Sequence, residues 1–178
     1  MNLTGTVLVS SPFLFGEIFE QSVIFVYSHD EELGAQGVVI NHSSKLTVDD
    51  LMHDLEYTPD GEYSDDHLYV GGVSAQSAIM MVHSSEWWST NTLPVTPEIS
   101  VSSDMMMFER LLAGDAPDEW RIYAGQCDWY PGQLEEEIDS NLWQTLPASP
   151  AALFGGSGKA QWRRGVRMAS RHAVSSWF

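Results

Sequence analysis

The sequence predicts an α+β fold, and three observations carry that reading. Short β-branched or aromatic runs bounded by turn residues recur along the chain, several of them joined by short links. Segments with helical spacing fall among them without a strict strand-helix-strand rhythm, which disfavours a doubly wound parallel sheet. A chain of 178 residues that is 43% hydrophobic and 11% aromatic can bury one substantial core, so a single domain over residues 1–178 is expected.

Gly5 to Ser10, Ser22 to Ser28 and Gly37 to Ile40 read as strands, because branched and aromatic side chains suit a pleated surface. The charged segment His29 to Gly34 is a turn between the last two. Thr47 to Leu55 places Val48, Leu51, Met52 and Leu55 at helical spacing behind a threonine able to cap the first turn. Residues 56–66, with Pro59 and Gly61, read as a loop. Strands follow at His67 to Val70 and Ala78 to His83, around Gly71-Gly72, and near Glu98 to Val101. Ser103 is expected to cap a helix through Leu112 that stops at Gly114, with Met105, Met106 and Met107 filling gaps in the core.

Trp120 to Cys127 reads as a further strand and Pro131 as the first residue of a helix, where a missing N–H costs nothing. Lys159 to Ser176 is the last and longest helix. Trp162, Val166, Ala173 and Trp177 share one stripe of it, and Arg163, Arg167 and Arg171 an adjacent one. The apolar stripe is expected to dock on the sheet while the acidic body compensates the arginines. The other use of those arginines is an anion- or partner-binding surface.

Charge is unevenly placed. The net charge is −17; residues 1–140 carry all 25 acids and only Lys45, Arg110 and Arg121, whereas residues 141–178 carry five bases and no acid. Affinity for a phosphate backbone comes largely from Lys and Arg releasing counterions, so no direct nucleic-acid partner is expected. The longest apolar runs, Val23 to Tyr27 and Ala78 to Val82, fall far below the roughly 20 residues a membrane helix needs, and no membrane partner is expected. The N-terminus lacks the pattern of a secretory signal, and Cys127 is the one cysteine, so a cytoplasmic location is expected.

Several patterns that resemble catalytic motifs fail on inspection. Gly72-Val73-Ser74-Ala75-Gln76 lacks the second glycine of a nucleophile elbow. Gly155-Gly156-Ser157-Gly158-Lys159 lacks both the first glycine and the magnesium-binding hydroxyl of a phosphate loop, and Gln161 replaces the third glycine of a dinucleotide fingerprint. The six histidines show no metal-ligand spacing, and the Asp49-Asp50-Asp54 and Asp65-Asp66 groups show no calcium-loop spacing, so no metal and no cofactor are expected. Cys127 has no neighbouring cation to lower its pKa and is expected to be inert.

Two segments carry a more specific signal: Gly34-Ala35-Gln36-Gly37-Val38-Val39-Ile40-Asn41 and Trp129-Tyr130-Pro131-Gly132-Gln133-Leu134-Glu135. Pro12, Phe19, Gly71-Gly72, His83, Glu137-Ile138, Asn141, Trp143 and Trp162 support them. On these residues the chain resembles the YqgE/AlgH family over roughly residues 3–166, as a divergent member. Family members usually have Gly-Gly-Pro at Gly71-Gly72-Val73, an aspartate at Gly16, a basic residue at Gln21 and a glycine-containing run at Gln126-Cys127-Asp128. The resemblance implies a strongly curved mixed sheet forming a partial barrel with helices packed outside. It also carries a label of transcriptional regulator, which no helix-turn-helix pattern here supports in a direct sense.

The residues expected to form a binding site are Asn41, Gly71, Gly72, His83, Trp129, Gly132, Gln133 and Glu135. Free N–H groups at a helix start after Pro131, the Gln133 amide and the Trp129 ring would suit an anion or a carbonyl. The structural alternative has Trp129 in the core and Gln133 satisfying buried backbone. Three functions stay open: a non-enzymatic protein acting through a protein partner or small ligand, with an indirect effect on gene expression; an enzyme using Glu135 and His83; and a direct DNA-binding regulator. Against the last, the charge balance predicts no sequence-specific duplex binding at physiological salt, where the Debye length is about 8 Å. A mobility-shift titration checks this, and a reproducible sequence-dependent shift at sub-micromolar protein contradicts it.

Overall fold

The computed structural model describes residues 2–14 and 16–175. Strands β1 (Thr6–Ser10), β2 (Val23–Asp30), β3 (Gly34–Val39) and β4 (Ser43–Thr47) precede helix α1 (Val48–Asp54). Strands β5 (His67–Val70), β6 (Ser74–Ser84), β7 (Leu93–Pro94) and β8 (Ile99–Ser102) lead to α2 (Met106–Leu112). Then come β9 (Trp120–Trp129), α3 (Gln133–Asp139), β10 (Trp143–Pro147), α4 (Pro150–Phe154) and α5 (Gly158–Ser175). The sheet runs β10-β1-β2-β3-β9-β6-β8-β7 in antiparallel order and curls into a half-barrel. β4 pairs with β5, and β5 joins β9 in parallel at Tyr69↔Tyr123, so the sheet is mixed and the class is α+β.

The apolar runs are continuous because the central strands are covered on both faces. Val7, Val9, Val23, Phe25, Tyr27 and Val38 face one cluster with Tyr123, Leu153 and Ala169. The alternate residues Leu8, Ile24, Val26 and Val39 face a second cluster with Trp129, Leu134 and Trp143. A third cluster joins Val48 and Met52 of α1 and Phe108 and Leu111 of α2 to Met81 and Ile122. β3 lies between β2 and β9, as an interior strand must to be buried on both faces.

The outer edge at β10 is guarded by proline. Leu142 accepts from Ser11 N–H and Ala148 donates to Gly5, so the even-numbered residues of β10 bond β1 and the odd-numbered ones point outward. Pro147 is one of those, and its missing N–H shortens the edge available to another strand.

α5 packs on β1, β2 and β10 through Gly165 and Ala169, flanked by Trp162, Val166 and Met168, while the buried Gln161 donates to the Ala152 and Leu153 carbonyls of α4. At Gly165 an added Cβ would lie 3.0 Å from Val9 Cγ2, so the missing side chain sets the distance between helix and sheet. The Trp162 indole donates to the Ser10 carbonyl at 3.0 Å. The expected apolar stripe is therefore shifted: Ala173 is exposed, and Trp177 lies outside the described residues. Arg163, Arg167 and Arg171 make no side-chain ion pair among the described residues, so the expected compensation by the acidic body does not take that form.

Thr47 caps α1 as expected, in a reciprocal box with Asp50. Ser103 does not cap α2: it is tied to Asn91 by two hydrogen bonds, and Asp104 takes the Met107 N–H instead. Of the methionine run only Met107 is buried; Met105 and Met106 are exposed. Pro131 does not open α3. It sits at the second position of a type II turn whose third residue, Gly132, has φ 80° and ψ −14°, with Gln133 N–H closing on the Tyr130 carbonyl at 3.0 Å.

Deleting residues 159–178 should uncover the α5-facing cluster and lower the melting temperature by more than about 10 °C, at about 2–4 °C per kcal/mol for a chain of this size. Calorimetry of the truncated chain checks this; an unchanged melting temperature contradicts the packing.

Candidate functional site

The two motif segments are neighbours in the sheet. β3 runs beside β9 with Ala35 opposite Trp129, Gln36 opposite Asp128 and Gly37 opposite Cys127. Gly34 makes this possible: its φ is +91°, and a Cβ there would lie 2.0 Å from the Trp129 carbonyl oxygen. Before it, Asp30 Oδ1 accepts from the N–H groups of Glu32 and Leu33, which turns the chain back sharply.

After β9 the turn is locked from within. Gln133 Oε1 accepts the Tyr130 N–H at 3.0 Å, and Gln133 Nε2 donates to Glu137 Oε1 at 2.9 Å. The other Glu137 oxygen accepts both the Trp129 indole at 3.0 Å and the Trp143 indole at 2.7 Å. One carboxylate thus joins β9, the turn, α3 and β10. Beside it, Glu135 Oε1 lies 2.8 Å from His29 Nε2. The Leu3 N–H donates to His29 Nδ1, so the ring proton is on Nε2 and the imidazole donates to Glu135.

Between the Asp30 turn, β9 and the Tyr130 turn opens a cleft of about 760 Å³, with Leu33, Gln36, Ser74, Asp128, Trp129, Tyr130 and Gln133 on its walls. That volume is within the usual range for small-ligand sites. Tyr130 is 83% exposed and Leu33 85%, so two large apolar groups stand at the rim. Asp128 Oδ1 accepts from the amides of Gln36 at 3.1 Å and Gln126 at 2.8 Å. Gln126 Oε1 in turn accepts from the Tyr27 hydroxyl, whose pKa burial pushes up to about 12, with the Asp128 charge adding to it.

A model of the family described as AlgH-like matches residues 7–173. The chain belongs to the AlgH-like family. It is 31% identical to a UPF0301 protein of Gluconobacter oxydans, over 93% of this chain and 90% of the relative. It is also 31% identical to a UPF0301 protein of Shewanella denitrificans, over 86% and 83%. The solution structure of the AlgH protein from Pseudomonas aeruginosa superposes with a TM-score of 0.79 at 28% identity, over 95% of this chain and 88% of that one. A crystal structure of a Corynebacterium diphtheriae protein gives 0.73 at 23% identity, over 92% and 85%, a likeness of fold.

Within this AlgH-like chain the expected site residues divide. Trp129 and Gln133 line the cleft, and Gly132 makes the turn that presents Tyr130. Glu135 turns to His29. Gly71 and Gly72 lie against β9, where a Cβ would sit 2.3 Å from the Gly125 carbonyl and 2.1 Å from the Gln126 carbonyl, and they lead into Ser74 on the cleft wall. Asn41 is elsewhere: it accepts the Val23 N–H and donates to the carbonyls of Gln21 and Gly158, a latch between β2 and the start of α5. His83 is fully buried, donating from Nδ1 to the Ser84 carbonyl and accepting from the Ser102 hydroxyl, and burial lowers its pKa. It pairs with Trp120, nine residues along β9 from Trp129, or about 30 Å at strand rise. The structure therefore does not bring His83 and Glu135 together.

Of the anion or carbonyl expected here, the local charge does not favour an anion, because the charged groups on the cleft wall, Asp30 and Asp128, are acidic and α3 has only seven residues. Cys127 is buried and its thiol pKa is pushed up to about 12, first by burial and then by Asp128, which fits an inert thiol.

Removing the shared acceptor should cost stability. Glu137→Gln is expected to lose about 1–3 kcal/mol and Glu137→Ala more, because an amide nitrogen would face the Gln133 donor while the alanine leaves three N–H groups without their carboxylate. Gln133→Ala is expected to lose about 0.5–1.5 kcal/mol, since water can take up the exposed Tyr130 N–H and the part-buried Glu137 oxygen loses one donor. Urea unfolding of the three variants checks this; an unchanged midpoint for Glu137→Ala contradicts it.

Proposed function

We propose that this protein is a non-enzymatic binding protein, and that the cleft beside the Tyr130 turn receives a small ligand or a side chain of a protein partner. The carrying observation is the cleft itself, about 760 Å³ in volume, whose floor is the paired motif segments and whose rim is an exposed tyrosine. Two carboxylates, the four amide or hydroxyl side chains of Ser28, Gln36, Ser74 and Gln133, and one open aromatic face suit a cationic or hydrogen-bond-donating group. An ammonium or guanidinium group would meet the Tyr130 face and the outer oxygens of Asp30 and Asp128. Any effect on gene expression then passes through the bound molecule, consistent with a net charge of −17.

The test separates binding from folding. Tyr130 is exposed and its side chain is in no buried cluster, so Tyr130→Ala should leave the melting temperature within about 2 °C of wild type. Titration with agmatine, arginine-containing tripeptides and a carboxylate control, followed by amide chemical shifts, should show shifts at Gln36, Asp128 and Tyr130. Tyr130→Ala is expected to weaken that binding about tenfold. Shifts that are absent for every cationic probe, or unchanged in Tyr130→Ala, would sink the reading.

A further inference from the structure

The last helix carries a second surface that the cleft does not use. Lys159, Arg163, Arg167 and Arg171 follow one another at four-residue spacing, all exposed, along about 18 Å of helix. At about 100° per residue this row centres opposite Gly165, the residue that packs against Val9, and only at its end does Arg171 come beside Leu146 and Pro147 of β10. None of the four side chains makes an ion pair or hydrogen bond among the described residues. The contrast with the other arginines is direct. Arg164, one residue away, donates to the Gly155 and Ala151 carbonyls, and Arg121 donates to the carbonyls of Ile40, Leu153, Phe154 and Gly156. Arg110 pairs with Asp115.

Like charges at four-residue spacing weaken an isolated helix, and α5 contains no acid to relieve them. The chain has 25 acidic side chains and brings none of those described within ion-pair distance of this row. A single-sign row on an otherwise acidic molecule is complementary to a partner of the opposite sign and repelled by other basic surfaces. The net charge of −17 opposes every anionic partner, but a short acidic helix brings far fewer charges into that field than a DNA duplex or an anionic membrane does, and at contact distance the row is what it meets.

We propose that the exposed row Lys159-Arg163-Arg167-Arg171 is the docking surface for an acidic helix of a partner protein. Four-residue rows pack into one another at a crossing angle of about −50°, so the matching partner presents Asp or Glu at the same spacing. Each guanidinium can meet a carboxylate through two parallel hydrogen bonds, a geometry that lysine would not give.

The probe is a synthetic helical peptide with Glu at four consecutive four-residue positions, measured against the same peptide with Gln and against phosphatidylglycerol vesicles and a DNA duplex. The full-length protein should bind the Glu peptide at least about tenfold more tightly than the Gln peptide, and more weakly as salt rises from about 20 to 300 mM. Arg163→Gln/Arg167→Gln/Arg171→Gln should lose that preference while its melting temperature stays the same or rises, since the repulsion is relieved. Tyr130→Ala should bind the Glu peptide as wild type does, which keeps this result apart from that of the cleft. No preference for Glu, equal binding by the triple variant, or tighter binding to vesicles or DNA than to peptide would each overturn the proposal.

Discussion

The Glu137 carboxylate is the interaction on which the candidate site depends. A carboxylate only accepts hydrogen bonds and has room for about four, and this one takes two indoles and one amide from three different elements. Trp129 and Trp143 are both at least nine-tenths buried, so their N–H groups would be costly to leave without an acceptor. With them held, the end of β9 cannot move independently of β10. The Trp129 carbonyl can then sit where only a glycine, Gly34, fits opposite it. The cleft floor follows from that contact, because the Gly34 approach brings Asp30 and Leu33 next to Tyr130.

β9 extends the same logic along its length. It has β3 on one side, β6 on the other and β5 in parallel, so its backbone is approached from several directions at once. Besides Gly34, Gly71, Gly72 and Gly125 permit close crossings where any Cβ would collide with a carbonyl. At its first end the half-buried Arg121 has no carboxylate partner among the described residues. Its guanidinium is surrounded by carbonyl oxygens at the end of α4 and stacks 4.7 Å from the Tyr69 ring, a neutral cage in place of an ion pair. Arg164 is used in the same way. Among the described acids only Asp49 is buried, and two of the few bases brace backbone ends.

How far the sequence foretold this depended on whether the signal was local. The runs at β1, β2, β3 and β9 were legible because both faces are buried, which makes the apolar residues continuous. Thr47 could be read as a cap because its partner Asp50 is three residues away. β10 was missed, since Trp143-Gln144-Thr145-Leu146-Pro147 has little β-branching and ends in a proline tolerated only at an edge. α4, five residues long, is too short for a period to show. Pro131 was misread because proline favours both a first helical position and the second position of a turn; Gly132 at φ 80° decides for the turn. Trp129 and Gln133 were found through their motif. Asp30, Gln36 and Ser74 reach the cleft only through strand pairing, and Gln36 meets Asp128 across 92 residues of chain, a relation no spacing reveals. Glu137 was visible as a residue of interest, but its three donors come from packing.

Tyr130 contrasts sharply with the residues on either side of it. Trp129 on one side is 5% exposed and held by Glu137, and Leu134 on the other is fully buried. Pro131 fixes its own φ, Gly132 accepts the turn without strain, and Gln133 ties down the Tyr130 N–H. The backbone under Tyr130 is therefore held by Pro131, by the turn hydrogen bond and by Gln133, while the ring itself stands in water. Folding gains little from a tyrosine so placed, since its ring buries almost no area. Rigid support under an exposed aromatic is instead what lowers the entropic cost of binding, because little freedom is left to lose when a ligand arrives.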